Sequence, residues 1–428
     1  MRILFLTSFR RKIGGTESYL DAIVPAYLRR GNDVGICYTE DGPENRKAFA
    51  FPQEIREWQL KLLGQATVIA QIKDWKPDLI FCHGSTDMEF EAAVLKLAPG
   101  IFFAHDYKGT CISGLKARKF PTPAPCNRLF GPACLVQYFP RRCGGRSPIT
   151  MFRLYAKESR RLKLMHSYAV IATNSEHLTE EYKRHGFISH RLPYPVFADG
   201  KERPRAVRTD HGNTWRLLFV GRMDRLKGGQ VLLEALPKIR AGIDLDVELV
   251  FVGDGPERNR WERKAKRIQN ATRGVHISFT GWMERSKVAE VYAKTDLLVV
   301  PSLWPEPCGV VGVEGGLYSV PSVAFRVGGI PDWLHSGENG FLAPGDPPTA
   351  NGLAEAVVRA LDPKIYPALC DGARKLALGW TLEWHCNEFD LLVEKVLQGS
   401  FANVHPVANK TASAVSTDAD GIELPGVR

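Results

Sequence analysis

Short apolar runs alternate with longer amphipathic stretches along most of the chain, a pattern typical of parallel β-α-β units. The first half predicts strands at residues 3–7, 33–38, 78–83, 101–105 and 169–173, with helices at 16–30 and from residue 175. The second half predicts strands at residues 215–220, 247–252, 276–279, 297–300 and 320–324, separated by helical segments. We therefore expect an α/β fold in which two domains, each with a parallel sheet, face each other across a cleft.

Local composition predicts where these domains begin and end. Residues 196–213 are rich in Pro, Gly and charge without periodicity, so we interpret them as a linker between domains at 1–195 and 214–380. Residues 401–428 are mostly Ala, Val, Thr, Asp and Pro and predict a mobile tail. The 428 residues suit two domains of about 200 residues each.

The overall composition is that of an ordinary globular protein. Hydrophobic residues make up 44% and charged residues 24% of the chain, which excludes wholesale disorder, a collagen-like repeat and a coiled coil. No run approaches the ~18 apolar residues of a transmembrane helix. The apolar start is too short for a signal peptide and leads into a Gly-Gly loop, so we interpret it as the first strand and expect a cytoplasmic protein.

An excess of basic residues narrows the class of partner. Lys and Arg outnumber Asp and Glu by 57 to 47, a net charge of +10, which indicates an anionic partner such as nucleic acid, lipid or a phosphorylated small molecule. Eight basic residues lie between Arg141 and Lys163, against the single acidic residue Glu158. No RNA-recognition motif or zinc-finger spacing accompanies them, so we do not expect a nucleic-acid partner.

The strongest candidate site follows the predicted strand at 297–300, because ligands of parallel sheets bind beyond the carboxyl ends of the strands. Seven residues separate Glu306 from Glu314. If a helix begins near Gly309, the two carboxylates lie up to ~12 Å apart, about the span from a sugar ring across a diphosphate to a ribose. The free N–H groups at the start of that helix would suit the diphosphate. The alternative is that Glu306 caps the helix and Glu314 forms an ordinary salt bridge.

A second candidate site follows the predicted strand at 215–220. Arg222 and Lys227 lie in a glycine-rich loop and can converge on one diphosphate, Arg222 through its planar guanidinium and Lys227 as a point charge. The alternative is a solvated basic turn. The Gly-Asp-Gly-Pro sequence at 253–256 and the pair Gly281 and Trp282 also follow predicted strands, where they could be tight turns only.

The first half offers weaker candidates. Gly14 and Gly15 lie between the first strand and the first helix, in a loop that resembles a phosphate-binding loop but lacks the spacing of the known motifs. His105 ends a predicted strand next to Asp106, a better position for a functional histidine than most, although single histidines are more often structural.

Taken together, these motifs resemble the retaining glycosyltransferases of family 4, which have the GT-B fold of two Rossmann-like domains. The resemblance extends to about residue 400 and is most specific in the second half, where Gly-Arg–Lys-Gly, Gly-Asp-Gly-Pro, Gly-Trp and Glu-x7-Glu follow in order. It implies transfer of a sugar from a nucleotide diphosphate, most often UDP, to an acceptor hydroxyl without a catalytic cofactor. The last helix of the family crosses back to the first domain, and residues 381–398 are its counterpart here.

The same resemblance implies roles for individual residues. Arg222 and Lys227 would hold the diphosphate, Glu314 the ribose hydroxyls, and Glu306 and His105 would lie at the transferred sugar. The other residues expected at the donor site are Gly14, Gly15, Gly281, Trp282, Gly309, Val310 and Val311. Two departures from the family pattern are Pro307-Cys308, in place of a step that usually contains an aromatic residue, and the unusual segment after His105.

That segment contains four clustered cysteines, Cys111, Cys126, Cys134 and Cys143. None forms a Cys-x-x-Cys pair, so the spacing matches standard zinc motifs poorly. A similar His-Asp…Cys arrangement occurs in a subset of family 4 enzymes. Our hypothesis is a structural metal site, with disulfides and unlinked thiols as the alternatives.

Residues 149–163 predict a basic amphipathic helix. One interpretation is a solvated helix with one buried face. The other is a helix that lies on the inner, anionic face of the membrane and brings a lipid-linked saccharide acceptor to the cleft during polysaccharide assembly. A soluble saccharide acceptor would fit the same motifs. Other functions that the fold could host are a GT-B epimerase or phosphorylase, or a non-catalytic nucleotide-sugar sensor or scaffold.

Overall fold

The computed structural model describes residues 1–196 and 213–401, and its first lobe is built on a seven-stranded parallel sheet. The strands of this lobe are β1 (Arg2–Phe9), β2 (Asp33–Glu40), β3 (Arg56–Gln59), β4 (Leu79–Cys82), β5 (Gly100–Ala104), β6 (Ala117–Arg118), β7 (Ala124–Pro125), β8 (Val170–Thr173) and β9 (Ser189–Arg191). The helices are α1 (Gly15–Arg29), α2 (Leu60–Leu63), α3 (Gln65–Trp75), α4 (Met88–Val94), α5 (Ala133–Gln137), α6 (Pro148–Met165) and α7 (Glu176–Arg184). The sheet order is β3-β2-β1-β4-β5-β8-β9, and β6 and β7 form a separate antiparallel hairpin.

The second lobe is built on a six-stranded parallel sheet with the order β12-β11-β10-β13-β14-β15. Its strands are β10 (Thr214–Val220), β11 (Asp246–Val252), β12 (Val275–Gly281), β13 (Leu297–Val300), β14 (Ser322–Phe325) and β15 (Gly340–Ala343). Its helices are α8 (Gly229–Ala241), α9 (Arg258–Ala271), α10 (Arg285–Tyr292), α11 (Val311–Gly316), α12 (Ala350–Ala360), α13 (Tyr366–Gly379) and α14 (Leu382–Leu397).

The two parallel sheets confirm the predicted fold class, and each predicted strand has a counterpart in the structure. The strands at β3, β9 and β15 were not predicted. They lie at or next to the sheet edges and have only three or four residues, too few for a clear apolar pattern. The predicted start of β14 at residue 320 is wrong, because Pro321 has no N–H to donate to a neighbouring strand and the strand begins at Ser322.

The order of strands reverses at one point in each sheet. In the second lobe β10 lies beside β13, and in the first lobe β1 lies beside β4. Chain connections leave these two strand pairs in opposite directions, which opens a crevice at their carboxyl ends. The loops that carry the predicted site residues begin at these crevices.

The last helix, α14, packs against the first lobe, although it follows the second lobe in the sequence. The Tyr27 hydroxyl of α1 donates to the Asp390 carboxylate at 2.8 Å, and Arg30 forms an ion pair with the same carboxylate at 2.8 Å. Below them, the rings of Phe81 and Phe389 stack at 4.2 Å between centroids. The helix therefore covers part of the core of the first lobe.

Helix α6 holds two loops at the carboxyl edge of the first sheet. Arg161 forms a buried ion pair with Glu91 and donates to the Ser85 carbonyl oxygen at 2.8 Å. One turn away, the buried carboxylate of Glu158 accepts a hydrogen bond from the Gly109 N–H at 2.7 Å. The predicted amphipathic helix thus has a buried face that contains charged residues as well as apolar ones.

Two predicted segments lie largely outside the described residues: 197–212, which include most of the predicted linker, and 402–428, which include nearly all of the predicted tail. Within the described part of the chain, no helix combines the length and apolar character needed to cross a bilayer.

Candidate active site

The loops after β10, β11 and β12 lie side by side at the carboxyl edge of the second sheet. The Gly253 N–H donates to the Gly281 carbonyl oxygen at 2.9 Å, which joins two of these loops. Gly253 has a φ of +127°, and a Cβ there would overlap the carbonyl oxygen of Gly221. Glycine is therefore required for this close approach. The arrangement places Arg222 and Trp282 on loops of one edge, and both side chains are exposed.

Main-chain contacts bring Lys227 to the segment after β13. The Leu303 N–H donates to the Leu226 carbonyl oxygen at 2.7 Å. Gly228, with a φ of +71°, lies so close to the Pro301 carbonyl oxygen that any Cβ would overlap it. The loop after β10 therefore lies directly against the loop after β13, at the crevice of the second sheet.

Lys227 and Glu306 form an ion pair at this crevice. The Lys227 ammonium donates to Oε1 of Glu306 at 2.7 Å, and the Ser302 hydroxyl donates to the same oxygen. The Glu306 side chain is only 5% exposed, whereas that of Lys227 is 31% exposed. A buried carboxylate requires such partners, since an unpaired one is costly. The remaining N–H groups of Lys227 and the Oε2 atom of Glu306 form no hydrogen bond with any residue that the structure describes.

The structure does not join Glu314 to this pair. Glu314 lies on α11, and its Oε1 is 3.9 Å from a guanidinium nitrogen of Arg285 on α10. Burial raises the pKa of Glu314, and the charge of Arg285 opposes that rise. Arg285 was not predicted as a site residue, because nothing in the sequence places α10 beside α11.

A helix does begin near Gly309, with Val311 as its first residue. Gly309 has a φ of +75°, in the left-handed region, and α11 contains only the six residues Val311–Gly316. A helix this short has a small dipole. Even so, the N–H groups of Gly309, Val310 and Val311 form no hydrogen bond with another residue in the described ranges, so these donors remain available.

In the first lobe, Gly14 and Gly15 lie after β1 at the crevice of the sheet. The Gly14 N–H donates to the buried Glu17 carboxylate at 2.7 Å, and the Gly15 carbonyl oxygen accepts a hydrogen bond from the Tyr194 hydroxyl at 2.6 Å. Burial raises the pKa of Tyr194, and the nearby Cys308, Glu17 and Glu314 add to this effect. Groups from both lobes therefore surround Tyr194.

His105 pairs with a second histidine, His83, which follows β4. His83 Nδ1 and His105 Nε2 lie 2.8 Å apart. Burial, with smaller contributions from Lys108 and His385, lowers the pKa of His105 to about 3, and burial lowers the pKa of His83 well below its usual value. Both imidazoles are therefore neutral near pH 7 and can exchange hydrogen bonds but carry no charge. The one sequence signal for His83 was its position at the end of a predicted strand, the same position that His105 has on the next strand.

Contacts between the lobes connect the two crevices. The Tyr107 hydroxyl donates to the Pro305 carbonyl oxygen at 2.7 Å, and the Glu176 N–H donates to the Asp332 carboxylate at 2.8 Å. At the opposite side, the guanidinium carbon of Arg46 lies 5.8 Å from the centroid of the Trp282 ring. The carboxyl ends of the two sheets therefore face each other.

Comparison of the sequence with known proteins finds similarity to glycosyltransferases. Residues 214–363 match the family model described as glycosyl transferases group 1. Spore coat protein SA of Bacillus subtilis (strain 168) is 30% identical over 130 residues, which are 29% of this chain and 34% of that protein. Alpha-D-kanosaminyltransferase of Streptomyces kanamyceticus is 28% identical over 273 residues, which are 59% of this chain and 68% of that protein. The similarity to the group 1 glycosyltransferases therefore lies in the second lobe, where the family model matches.

A solved structure extends the similarity to both lobes. Anabaena Alr3699/HepE in complex with UDP matches 92% of this chain and 100% of that one, with a TM-score of 0.63 and 18% sequence identity. Such a likeness shows the fold alone, which is GT-B. The matched segments span about a third of the length of the first curated relatives, 34% of spore coat protein SA and 37% of a Corynebacterium kroppenstedtii D-inositol 3-phosphate glycosyltransferase.

The clustered cysteines are free thiols, as are the other five cysteines of the chain. The pKa values of Cys134 and Cys143 are raised, for Cys143 to about 11, first by burial and then by the other cysteines of the cluster. Cys111, Cys126, Cys134 and Cys143 are therefore neighbours in space. Residues 1–196 and 213–401 contain no group of three or more His, Cys, Asp or Glu side chains arranged to hold a metal ion.

The buried histidines predict that this protein loses stability in mild acid. His385 is fully buried, accepts a hydrogen bond from Tyr19 at 2.7 Å and donates to the Pro193 carbonyl oxygen at 2.7 Å, and burial lowers its pKa to about 4. Between its usual pKa of about 6.5 and this value, the unfolded state binds the proton and the folded state does not. Stability therefore rises with pH in this window and falls as the pH is lowered.

We expect His385→Gln to reduce this pH dependence by up to about 1.4 kcal/mol per pH unit between pH 6 and 4.5, measured from urea unfolding curves. Substitution of the exposed His276 on β12 by Gln is the matched control and should leave the slope unchanged. Equal slopes for the wild type and His385→Gln would contradict the assignment.

Proposed function

We propose that this chain is a retaining glycosyltransferase of family 4 that transfers a sugar from a nucleotide-diphosphate donor, a UDP-sugar, to an acceptor hydroxyl. The observation that carries the proposal is the Lys227–Glu306 ion pair, which lies at the crevice of the second sheet and faces the first lobe. The UDP in the Anabaena complex, a protein of the same fold, supports the choice of nucleotide.

The main chemical task is to stabilise the leaving nucleoside diphosphate. Arg222 has an exposed guanidinium with no hydrogen bond or ion pair to any residue of the described ranges, and Lys227 uses one N–H for Glu306. We assign both cations to the diphosphate, together with the N–H groups of Gly309, Val310 and Val311. Fixed donors of this kind stabilise negative charge as it develops, so transfer requires no cofactor.

Retention follows if the acceptor attacks from the face that the diphosphate leaves. The bond from the anomeric carbon to the diphosphate oxygen breaks, the acceptor oxygen bonds to that carbon, and the acceptor proton passes to the departing diphosphate. Glu306 is not needed as a nucleophile. Its Oε1 atom is occupied by Lys227 and Ser302, so we assign Oε2 to a hydroxyl of the transferred sugar.

Other residues complete the donor site in this proposal. Glu314 binds the ribose hydroxyls, and the charge of Arg285 opposes the rise in the pKa of this carboxyl group that burial causes. His105, oriented by His83, contacts the donor sugar as a neutral imidazole. Gly14 and Gly15 have no side chains, so the sugar and the acceptor can approach the main chain closely there. Gly281 and Trp282 lie at the end where the nucleotide base would be.

Substitution of the ion pair tests the proposal. We expect Lys227→Ala and Glu306→Ala each to lower kcat at least about 100-fold, because each removes a group that acts at the departing diphosphate or the sugar. Arg225→Ala, in the same basic turn, is the control and should keep wild-type turnover. Transfer is measured with labelled donor, after a thermal-shift screen of nucleotide sugars has identified the donor that stabilises the protein.

Wild-type turnover in either variant would contradict the assignment, and circular dichroism should show that both remain folded. Donor binding without transfer to any acceptor would favour a sensor or scaffold. A product formed without an acceptor sugar, or with phosphate alone, would favour an epimerase or a phosphorylase.

We further propose that the acceptor is a lipid-linked saccharide reached from an anionic membrane surface. Between Lys116 and Lys163 there are twelve basic residues and one acidic residue, Glu158. Ile149 and Phe152, one turn apart on α6, are 65% and 58% exposed. Further exposed apolar side chains of the same segment are Phe120, Leu129, Val136 and Phe139. Exposed apolar and cationic groups together are typical of a surface that binds anionic lipid.

Vesicle binding tests the membrane surface. We expect binding to vesicles with phosphatidylglycerol, release by high salt, and at least about tenfold weaker binding after the double substitution Ile149→Glu and Phe152→Glu. Leu62→Glu, at an exposed apolar residue of α2, is the matched control and should bind as the wild type does. Equal binding to neutral vesicles would count against the proposal.

For Cys111, Cys126, Cys134 and Cys143 we propose a structural metal site, since thiolates are ligands that suit zinc or iron. The described side chains are not arranged to hold an ion, so the four thiols would have to move together when a metal binds. A buried ion pair between Lys116 and Glu181 ties their segment to α7 and so keeps the loop in place. Elemental analysis of purified protein should give about one equivalent of zinc or iron, lost in Cys126→Ser. Substoichiometric metal in the wild type would contradict the metal site and favour unlinked thiols.

A further inference from the structure

Tyr107 connects the first lobe to the segment that carries Glu306. It follows β5 by three residues and is fully buried, and its hydroxyl donates to the Pro305 carbonyl oxygen at 2.7 Å. Pro305 immediately precedes Glu306. A hydroxyl of one lobe therefore holds the main chain next to the Glu306 carboxylate of the other lobe.

Trp304, on the other side of Pro305, also packs against the first lobe. Its ring lies 6.4 Å from the ring of Tyr107 at an angle of 74°, and it contacts the buried apolar cluster of the first lobe. The Lys227 ammonium lies 5.4 Å from the centroid of the same indole ring. Both members of the Lys227–Glu306 pair therefore adjoin residues whose positions depend on the first lobe.

Tyr107 is itself held by several contacts within the first lobe. The Tyr182 hydroxyl of α7 lies 3.1 Å from the Asp106 carbonyl oxygen and 2.8 Å from that of Lys108, on either side of Tyr107. The Thr110 N–H donates to the Tyr107 carbonyl oxygen at 3.1 Å. These bonds fix the turn, so the Tyr107 hydroxyl is presented to the second lobe in a defined position.

We propose that Tyr107 is a positioning residue that sets the Lys227–Glu306 pair across the boundary between the lobes. This inference rests on the function proposed above for that pair. Separation of the lobes would break the hydrogen bond to Pro305, so the reactive pair reaches its working geometry only when the lobes are in contact. Small displacements of reacting groups have large effects on rate.

The size of the expected effect follows from the other supports of Glu306. The Gly329 N–H donates to the Glu306 carbonyl oxygen at 2.7 Å, and this bond lies within the second lobe. Loss of the Tyr107 hydroxyl alone should therefore displace the carboxylate without releasing the loop. Donor binding by Arg222 and the N–H groups after Cys308 should persist.

Tyr107→Phe removes the hydroxyl and keeps the ring. We expect kcat to fall about tenfold, while the KM for the donor stays within about twofold. Tyr366→Phe is the matched control: its hydroxyl is buried and donates to the Asp296 carbonyl oxygen at 2.9 Å, but both residues lie in the second lobe. Even if Tm falls equally in both variants, kcat should stay within about twofold in Tyr366→Phe. Wild-type kcat in Tyr107→Phe, or equal losses in both variants, would overturn the proposal.

Hydrogen exchange gives a readout that does not depend on activity. Without donor, Tyr107→Phe should speed the exchange of the Gly329 N–H, which is bonded to Glu306, by roughly fivefold or more, and Tyr366→Phe should not. Trp304→Phe, which removes part of the ring that packs against Tyr107, should also speed this exchange. Unchanged exchange in Tyr107→Phe would overturn the positioning role. If Tyr107→Phe speeds the exchange but the wild-type protein transfers no sugar, the proposed function is overturned and the positioning of Glu306 by Tyr107 is not.

Discussion

The need to neutralise a buried carboxylate organises the centre of this molecule. Glu306 is almost fully removed from water, and an isolated charge in that position would cost several kcal/mol. Lys227 meets the requirement, and it reaches Glu306 because Gly228 allows the loop after β10 to touch the loop after β13. These two strands are neighbours at the point where the strand order of the second sheet reverses. The ion pair therefore lies at the base of the crevice in which ligands of such sheets bind.

Much of the fold could be predicted because its strands are buried on both faces. The runs at β4 and β13 are continuous and apolar, as parallel strands covered by helices must be. The edge strand β9 has the sequence Ser-His-Arg and carries no such pattern. The sequence indicated where α11 begins but not how short it is, because a sequence rich in glycine gives a weak helix signal. Gly312 is required there, since a Cβ would overlap the ring of Trp333.

The candidate site could be predicted as a list of residues but not as a set of contacts. Arg222, Lys227 and Glu306 stand out because each lies in a loop directly after a strand. Their partners are distant in sequence: Lys227 and Glu306 are 79 positions apart, and Tyr107 and Pro305 are 198 positions apart. Neither His83 nor Tyr107 belongs to a motif that would single it out. Contacts of this kind depend on how the two lobes meet, which local sequence patterns do not contain.

The path of α14 has a consequence for how the protein is made. This helix leaves the ribosome after both lobes, yet it covers Tyr27 and Phe81 in the first lobe. During translation that lobe therefore exposes an aromatic surface until the second lobe and α14 have emerged. A nascent chain in this state is a natural client for a chaperone that shields apolar surface, and a premature stop codon shortly before residue 382 would leave the surface bare in the finished product.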